Sequence, residues 1–308
     1  MPSYTKQIVF LVGSTGNTGS SIVRALAKQP ERFVIKALVR PSSMDKPIVQ
    51  EFRKLGVEIV PGDLADDTQE SLETKLQNTD ILINTTLPFI REHQNKLFLA
   101  AKHSGVKRVV PSDFGPSAPP GVMKYQDSKL KLRQFIIKNE IPCTFIQVGW
   151  WPSLLFPYRH SVEGTSIRIT MGKRFYGSGK VKIAYTDLER VGDFVARIIT
   201  DPRTLNKTVQ TWDGETTLEE VWDIASRITG ENFDDYPRFS AEDIESTLRN
   251  NPDFITMVMS EYRRSVFIRG DNTVEKAVGL GALDARVLYP DYVPLPLEEI
   301  AKKFYGSN

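Results

Sequence analysis

The segment Gln7-Ile-Val-Phe-Leu-Val12 runs straight into Gly13-Ser-Thr-Gly16-Asn-Thr-Gly19, and this junction constrains the fold more than any other part of the chain. A strand apolar on both faces belongs in a parallel sheet covered by helices. The turn after it delivers free backbone N–H groups and a helix N-terminus, a site suited to an anion and here to a pyrophosphate. Gly13 allows the tight turn, Gly16 lets a phosphate approach the backbone, and Gly19 lets helix and strand pack closely. Ile22, Val23 and Leu26 form the helix's inward stripe. The spacing is G-x-x-G-x-x-G rather than the strictest G-x-G-x-x-G, and an ordinary strand-to-helix turn also carries glycines. The flanking strand and amphipathic helix supply the context that a dinucleotide site demands.

Apolar strand-like runs recur at 33–39, 57–60, 80–84, 107–110 and 144–148, separated by helical-period segments at 19–28, 47–55, 68–77, 91–103 and 126–139. Strands alternating with helices predict an α/β protein with a Rossmann-like, doubly wound parallel sheet over residues 1–150. After Val148 the sequence changes to Gly149-Trp-Trp-Pro-Ser-Leu-Leu-Phe-Pro-Tyr158, aromatic and proline-interrupted, as a pocket wall would be. Thr186-Asp-Leu-Glu189 and Thr217-Leu-Glu-Glu220 both have the pattern of a capping box opening a helix. The first of these helices is expected to return to the sheet, so that 184–212 rejoins 1–150. That leaves 151–183 and 213–308 as a smaller, discontinuous, mainly helical substrate lobe, with helices near 241–248 and 253–267.

Lys and Arg number 40 against 38 Asp and Glu, so nothing in the charge balance favours a nucleic acid or an anionic membrane surface. No apolar run is long enough to span a bilayer, and the first strand begins too close to Met1 to leave room for a signal peptide, which predicts a cytoplasmic protein. The single cysteine, Cys143, lies in an apolar run and is expected in the core. His93, His103 and His160 show no metal-ligand spacing, and no metal is expected.

The second strand ends Ala37-Leu-Val-Arg40-Pro-Ser-Ser43. An NAD-binding sheet places an acid at that end for the ribose hydroxyls, whereas a guanidinium there can clasp a 2′-phosphate bidentately. Arg40, with Lys46 as a second cation, therefore favours NADPH over NADH. Asp63 after the third strand fits either an adenine-edge contact or a Gly-Asp turn.

Tyr125 and Lys129 stand at i and i+4, on one face of a helix. In short-chain dehydrogenases an ammonium so placed depresses the phenol's pKa and holds the ribose, while the phenol exchanges a proton with substrate oxygen. Lys129 also lies on the apolar line through Leu132 and Ile136, unlike Lys124, Lys131 and Lys138, so desolvation should lower its own pKa. A lysine snorkelling from a lysine-rich helix would share the same spacing.

The glycine triplet, Leu38-Val-Arg40, Lys107-Arg-Val-Val-Pro-Ser-Asp-Phe-Gly115, the helix from Lys129 to Arg133 with Ile141-Pro142 beyond it, and Gly149-Trp-Trp151 together resemble the NmrA-like, isoflavone-reductase-like branch of atypical short-chain dehydrogenases. The likeness covers nearly the whole chain. It implies an NADPH-dependent enzyme in which a lysine matching Lys129 serves the reduction of phenylpropanoid-type substrates. Plant members usually carry Phe at the position of Tyr125 and Glu at that of Asp113; the double tryptophan is similar to fungal members. Together these observations predict an NADPH-dependent reductase of an aromatic small molecule, such as a phenylpropanoid or polyketide. Lys129 and Tyr125 are the catalytic candidates. The expected cofactor contacts are Gly13, Thr15, Gly16, Asn17, Thr18, Gly19, Arg40, Lys46, Asp63, Thr85, Ser112, Phe114, Lys129 and Gly149, with Gly149 the closest backbone approach to the ring. Trp150, Trp151 and Phe156 are expected against the substrate, with Phe175 and Tyr176 beside them. Two other functions fit the sequence: an NADP-sensing regulator that binds a protein partner without turnover, and a sugar-nucleotide epimerase, which shares Tyr-x-x-x-Lys.

Overall fold

A computed structural model describes residues 6–87, 91–250 and 252–306. In chain order its first half runs β1 (Gln7–Val12), α1 (Asn17–Ala27), β2 (Phe33–Val39), α2 (Pro47–Lys54), β3 (Glu58–Pro61), α3 (Gln69–Leu76), β4 (Ile81–Asn84), α4 (Arg91–His103), β5 (Arg108–Val110), α5 (Lys124–Lys138) and β6 (Thr144–Val148). There follow α6 (Ile167–Gly172), β7 (Phe175–Tyr176), β8 (Ile183–Tyr185), α7 (Val191–Ile198), β9 (Lys207–Thr211), β10 (Gly214–Thr216), α8 (Leu218–Thr229), β11 (Arg238–Phe239), α9 (Ala241–Arg249) and α10 (Phe254–Arg263). The chain divides into two compact units: Met1–Phe114, Ser128–Ile146 and Leu188–Val209 form the first, and Gly115–Asp127, Gln147–Asp187 and Gln210–Asn308 the second.

The first unit is built on a parallel sheet of order β3-β2-β1-β4-β5, and a parallel bridge between Val109 and Cys143 brings in the start of β6. The α/β, doubly wound arrangement expected from the sequence is present, and the chain reverses its direction of winding between β1 and β4. That reversal opens a crevice at the carboxyl ends of the two strands, where ligands bind in such sheets. The apolar runs have the burial that a two-sided strand requires: all four residues of β4 and the last four of β1 are buried. Ile22, Val23 and Leu26 of α1 have no exposed surface, and Leu72, Leu97, Phe98, Leu132 and Ile136 join Phe10 and Leu82 in the core. Cys143 lies in the same core, its thiol pushed up to about 11 chiefly by burial.

The segment that rejoins the sheet is held by polar contacts as well as packing. The buried guanidinium of Arg108 donates to the carbonyls of Ile198 (2.7 Å) and Asp201 (2.9 Å) and to the Thr204 hydroxyl (2.9 Å). The Ser21 hydroxyl of α1 donates to the carbonyl of Glu189 and accepts from the N–H of Gly192 at the start of α7. Thr186 does not cap that helix. Its hydroxyl is spent within the second unit, donating to the Thr211 carbonyl and accepting from the Gly149 N–H, and a 3-10 turn at Leu188–Arg190 leads into α7 instead. The box at Thr217 and Glu220 is formed reciprocally and opens α8 as expected.

The second unit has its own aromatic core, which includes Phe156, Trp222, Phe233, Tyr236 and Tyr305. Asp253 caps α10, which passes at Arg264–Arg269 into a π-helical turn. Among the described residues no helix is long and apolar enough to cross a membrane.

Candidate active site

The glycine turn lies at the crevice of the first unit. Gly13 has φ +81°, a left-handed conformation, and a Cβ there would stand 2.8 Å from the Thr85 hydroxyl oxygen. A Cβ at Gly19 would meet Ser14 Cα at 2.7 Å and press on the Gly13 carbonyl oxygen, so the close approach of helix to strand excludes any side chain. Gly16 is different: the nearest atom to a Cβ is the Gly13 oxygen at 3.4 Å, and the residue is exposed. No side chain caps the start of α1, leaving its first-turn N–H groups for another acceptor, and exposed Asn17 and half-buried Thr15 and Thr18 surround that opening. Thr85 braces the turn, its hydroxyl directed at the carbonyls of Val12 (3.1 Å) and Gly13 (2.9 Å).

Arg40 follows β2 with its guanidinium exposed and without a hydrogen-bond or ion-pair partner among the described residues. Lys46, also exposed, forms the N-terminal cap position of α2. Asp63 behaves as a turn residue: its carboxylate accepts from the Ala65 N–H at 3.0 Å, the Gly-Asp turn alternative of the sequence. Ser112 and Phe114 are half-buried in the loop after β5.

Between them stands Asp113, which organises the next part of the site. Lys129 is buried, and its Nζ donates to the Asp113 carbonyl at 2.6 Å. One helical turn later Arg133 Nε donates to Asp113 Oδ2 at 2.6 Å, and its guanidinium lies 4.9 Å over the Phe145 ring. A single residue beyond β5 therefore receives two cations of α5, Lys129 on its backbone and Arg133 on its carboxylate. Burial lowers the Lys129 ammonium to about 8; the Asp113 carboxylate opposes that shift and the Arg133 charge adds to it. Lys124, Lys131 and Lys138 are exposed, as the apolar line of the helix predicts. Tyr125, counted with the second unit, has its ring 5.9 Å from Tyr262. Its phenol is not depressed: burial pushes it up to about 12. The cause is desolvation, which disfavours the charged phenolate.

The aromatic segment of the second unit is more deeply buried than a pocket wall. Phe156 has no exposed surface and packs on Phe304 (5.2 Å) and Tyr305 (5.9 Å), which makes it a core residue rather than a surface for substrate. Trp150 is 7% exposed, against Tyr262 and Phe267. Phe175 and Tyr176 are equally enclosed, and of the five rings Trp151 alone is half-buried rather than buried. Phe175 edges a surface cleft of about 430 Å³ shared with Trp222, Phe233 and Arg238. Gly149 has a reason of its own: a Cβ would lie 2.6 Å from the Tyr185 carbonyl carbon, and its N–H is taken up by Thr211 and Thr186. The glycine is required by the neighbouring strand β8.

A profile of the NmrA-like family matches residues 5–300. The chain belongs to this family. It is 32% identical to an asnovolin J 5′,6′-dehydrogenase of Aspergillus novofumigatus, a match covering 96% of this chain and 94% of that one. It is 28% identical to a phenylcoumaran benzylic ether reductase of Nicotiana tabacum, covering 97% and 99%. Among solved structures it is similar to an isoflavone reductase, with TM-score 0.80 at 25% identity over 97% and 100% of the two chains. It also shares its fold with leucoanthocyanidin reductase of Vitis vinifera, solved as a binary complex with NADPH, at TM-score 0.80 and 24% identity over 96% and 99%.

In this NmrA-like chain two groups went unread in the sequence. The Asp113–Arg133 ion pair has a signal in hindsight, since Lys129 and Arg133 are one turn apart on the same face. Asn84, wholly buried at the end of β4, donates to Gln94 at 2.9 Å and accepts from the Thr86 hydroxyl, fixing the turn that carries Thr85. His103 pairs with Glu73, and His160 with Glu231 and Asp235; among the described residues no group of three or more His, Cys, Asp or Glu is arranged to hold a metal ion.

Proposed function

We propose that this chain is an NADPH-dependent reductase that delivers hydride to an electrophilic carbon of an aromatic small molecule, with Lys129 as the group that holds or moves the proton. The observation that carries this is Lys129 itself: a buried ammonium, lowered to about 8, fixed to Asp113 at the carboxyl end of β5 in the unit that bears the glycine turn and Arg40. Such a group can give up a proton near neutrality, which an ordinary lysine does poorly. Its hydrogen bond to the Asp113 carbonyl needs only one N–H, so it persists after the proton leaves.

The residues present fit the cofactor. The uncapped start of α1 and the exposed Gly16 suit a pyrophosphate, and Arg40, exposed and without a partner among the described residues, suits a 2′-phosphate. NADPH, when bound, supplies the hydride. The chain's part is to hold the phosphates on α1 and Arg40, to keep water from the Lys129 ammonium by burial, and to hold that ammonium on Asp113. Dehydrogenase and reductase names recur among the full-length relatives, and the chain is an oxidoreductase of their kind. The aromatic compounds named for several of them support the substrate class.

The test is a screen of aromatic metabolites following NADPH absorbance, repeated with Lys129→Ala and Tyr125→Phe. Lys129→Ala should lower turnover by about 10²-fold or more if it is the general acid. Tyr125→Phe should leave turnover near normal, because a phenol pushed to about 12 is a poor donor at neutral pH. Full activity in Lys129→Ala would discard the mechanism. NADPH binding without turnover of any compound, together with a stable protein complex, would return the chain to the sensor alternative.

A further inference from the structure

Lys129 and Arg133 stand one turn apart on α5, and both reach Asp113 in the loop beyond β5. They do not use it alike. Arg133 Nε takes the carboxylate, at Oδ2, while the Lys129 ammonium donates to the neutral backbone carbonyl. A buried ammonium offered both acceptors gains more from the carboxylate, which adds the attraction of a full opposite charge in a medium of low dielectric. Something therefore keeps the carboxylate from Lys129. The second carboxylate oxygen, Oδ1, is buried and accepts no hydrogen bond, so an unspent acceptor remains on the same side chain.

Arg133 is fixed in place behind that carboxylate. Its guanidinium lies 4.9 Å over the Phe145 ring of β6, and Nη1 donates to the Thr208 hydroxyl of β9 at 3.5 Å. The Asp113 side chain is 2% exposed and that of Arg133 14%. Yet the pair is single-pronged, because Arg133 Nη2, like Asp113 Oδ1, is buried without a partner. A fork-to-fork pair would use both atoms, and a buried pair that leaves them unused contributes little to stability. What Arg133 does supply is a positive charge that never titrates. When Lys129 is neutral, that charge alone saves Asp113 from being a buried carboxylate with no counter-ion.

We infer, on the reading of Lys129 as the group that holds or moves the proton, that Arg133 is its positioning residue: it engages the Asp113 carboxylate so that the ammonium rests on the Asp113 carbonyl and can release its proton. Burial is the chief reason that the ammonium falls to about 8; beneath it the Asp113 charge raises Lys129 and the Arg133 charge lowers it. Arg108 and Cys143 stand close behind, near enough that Arg108, Arg133 and Asp113 all act on the thiol. The Arg108 guanidinium stays charged and the thiol, pushed up to about 11 chiefly by burial, stays neutral, so neither changes state between pH 6 and 10.

The test compares the parent with Arg133→Gln, Arg133→Lys and Asp113→Asn, each with and without Lys129→Met, by urea unfolding in half-unit steps from pH 6 to 10. The pH at which the stability difference within each pair begins to change marks release of the Lys129 proton. Arg133→Gln should move that point about one pH unit higher or more, because Asp113 then has only the ammonium to answer its charge. Asp113→Asn should move it lower, and serves if Arg133→Gln fails to fold. Arg133→Lys should stay near the parent, since the native contact to the carboxylate is a single N–H that a point charge can replace. A release point common to all four proteins, a move in the same direction for the glutamine and asparagine variants, or a lysine variant that behaves as the glutamine one overturns the assignment. Neither NADPH nor turnover is measured, so such a failure leaves the reductase proposal standing, and a chain that turns over no substrate still reports on Arg133.

Discussion

Replacing Lys129 by Met tests whether its ammonium is desolvated as the structure indicates. The gap between the ordinary 10.5 and about 8 corresponds to about 3 kcal/mol that the folded protein bears while Lys129 stays charged. Below pH 8 both folded and unfolded chains carry the proton, so the cost is fully present. Between pH 8 and 10.5 the folded state has released the proton while the unfolded state keeps it, and stability contributed by this group rises with pH. Lys129→Met removes the titration and also the bond to the Asp113 carbonyl, a net loss of about 1 kcal/mol. The variant should therefore be more stable than the parent by about 2 kcal/mol at pH 7, and that advantage should be lost by pH 10. Urea unfolding at half-unit steps from pH 7 to 10 reads this directly, since other groups titrate alike in both proteins and cancel in the difference. Parallel stability curves across that range would refute a desolvated Lys129.

Arg40→Asp should reverse a preference for NADPH over NADH, by about 10- to 100-fold for each charge-assisted hydrogen bond lost; equal affinity of the parent for the two cofactors by calorimetry argues against the assignment. Asp113→Asn leaves Arg133 charged and only 14% exposed without its partner, and should cost about 3–5 kcal/mol in urea unfolding; a loss under 1 kcal/mol would mean water already screens the pair. Phe156→Ala should cost about 3–5 kcal/mol in stability with NADPH affinity unchanged, as expected of a core ring. Trp151→Ala, at the half-buried ring, should change substrate kinetics with little effect on melting; the opposite pattern would place it in the core.

The strands were legible because a parallel sheet buries both faces, and runs such as Ile81–Asn84 have no polar alternation to confuse with a surface strand. The glycine turn was legible because Gly13 and Gly19 each answer a separate steric demand, written into the spacing itself. The aromatic segment was misjudged for a physical reason: cores and pockets both favour large rings, and only burial separates Phe156 from Trp151. Thr186 was misjudged because Thr-x-x-Glu also arises where a strand's hydroxyl serves a distant backbone group, as it does for Gly149 and Thr211. Lys129 could be placed inside its helix from periodicity alone. Its anchor could not, since Asp113 lies in another element and no local pattern joins the two.

The carbonyl cage around Arg108 sets a schedule for biosynthesis. Its guanidinium belongs to β5, yet its acceptors at Ile198, Asp201 and Thr204 emerge from the ribosome some ninety residues later. Until then the edge of the sheet carries a cation with nothing to replace its water, and burying it is unfavourable. The first unit therefore closes late, after much of the chain between its pieces has been made, and a nascent polypeptide stalled before Thr204 offers chaperones and proteases an unfinished sheet.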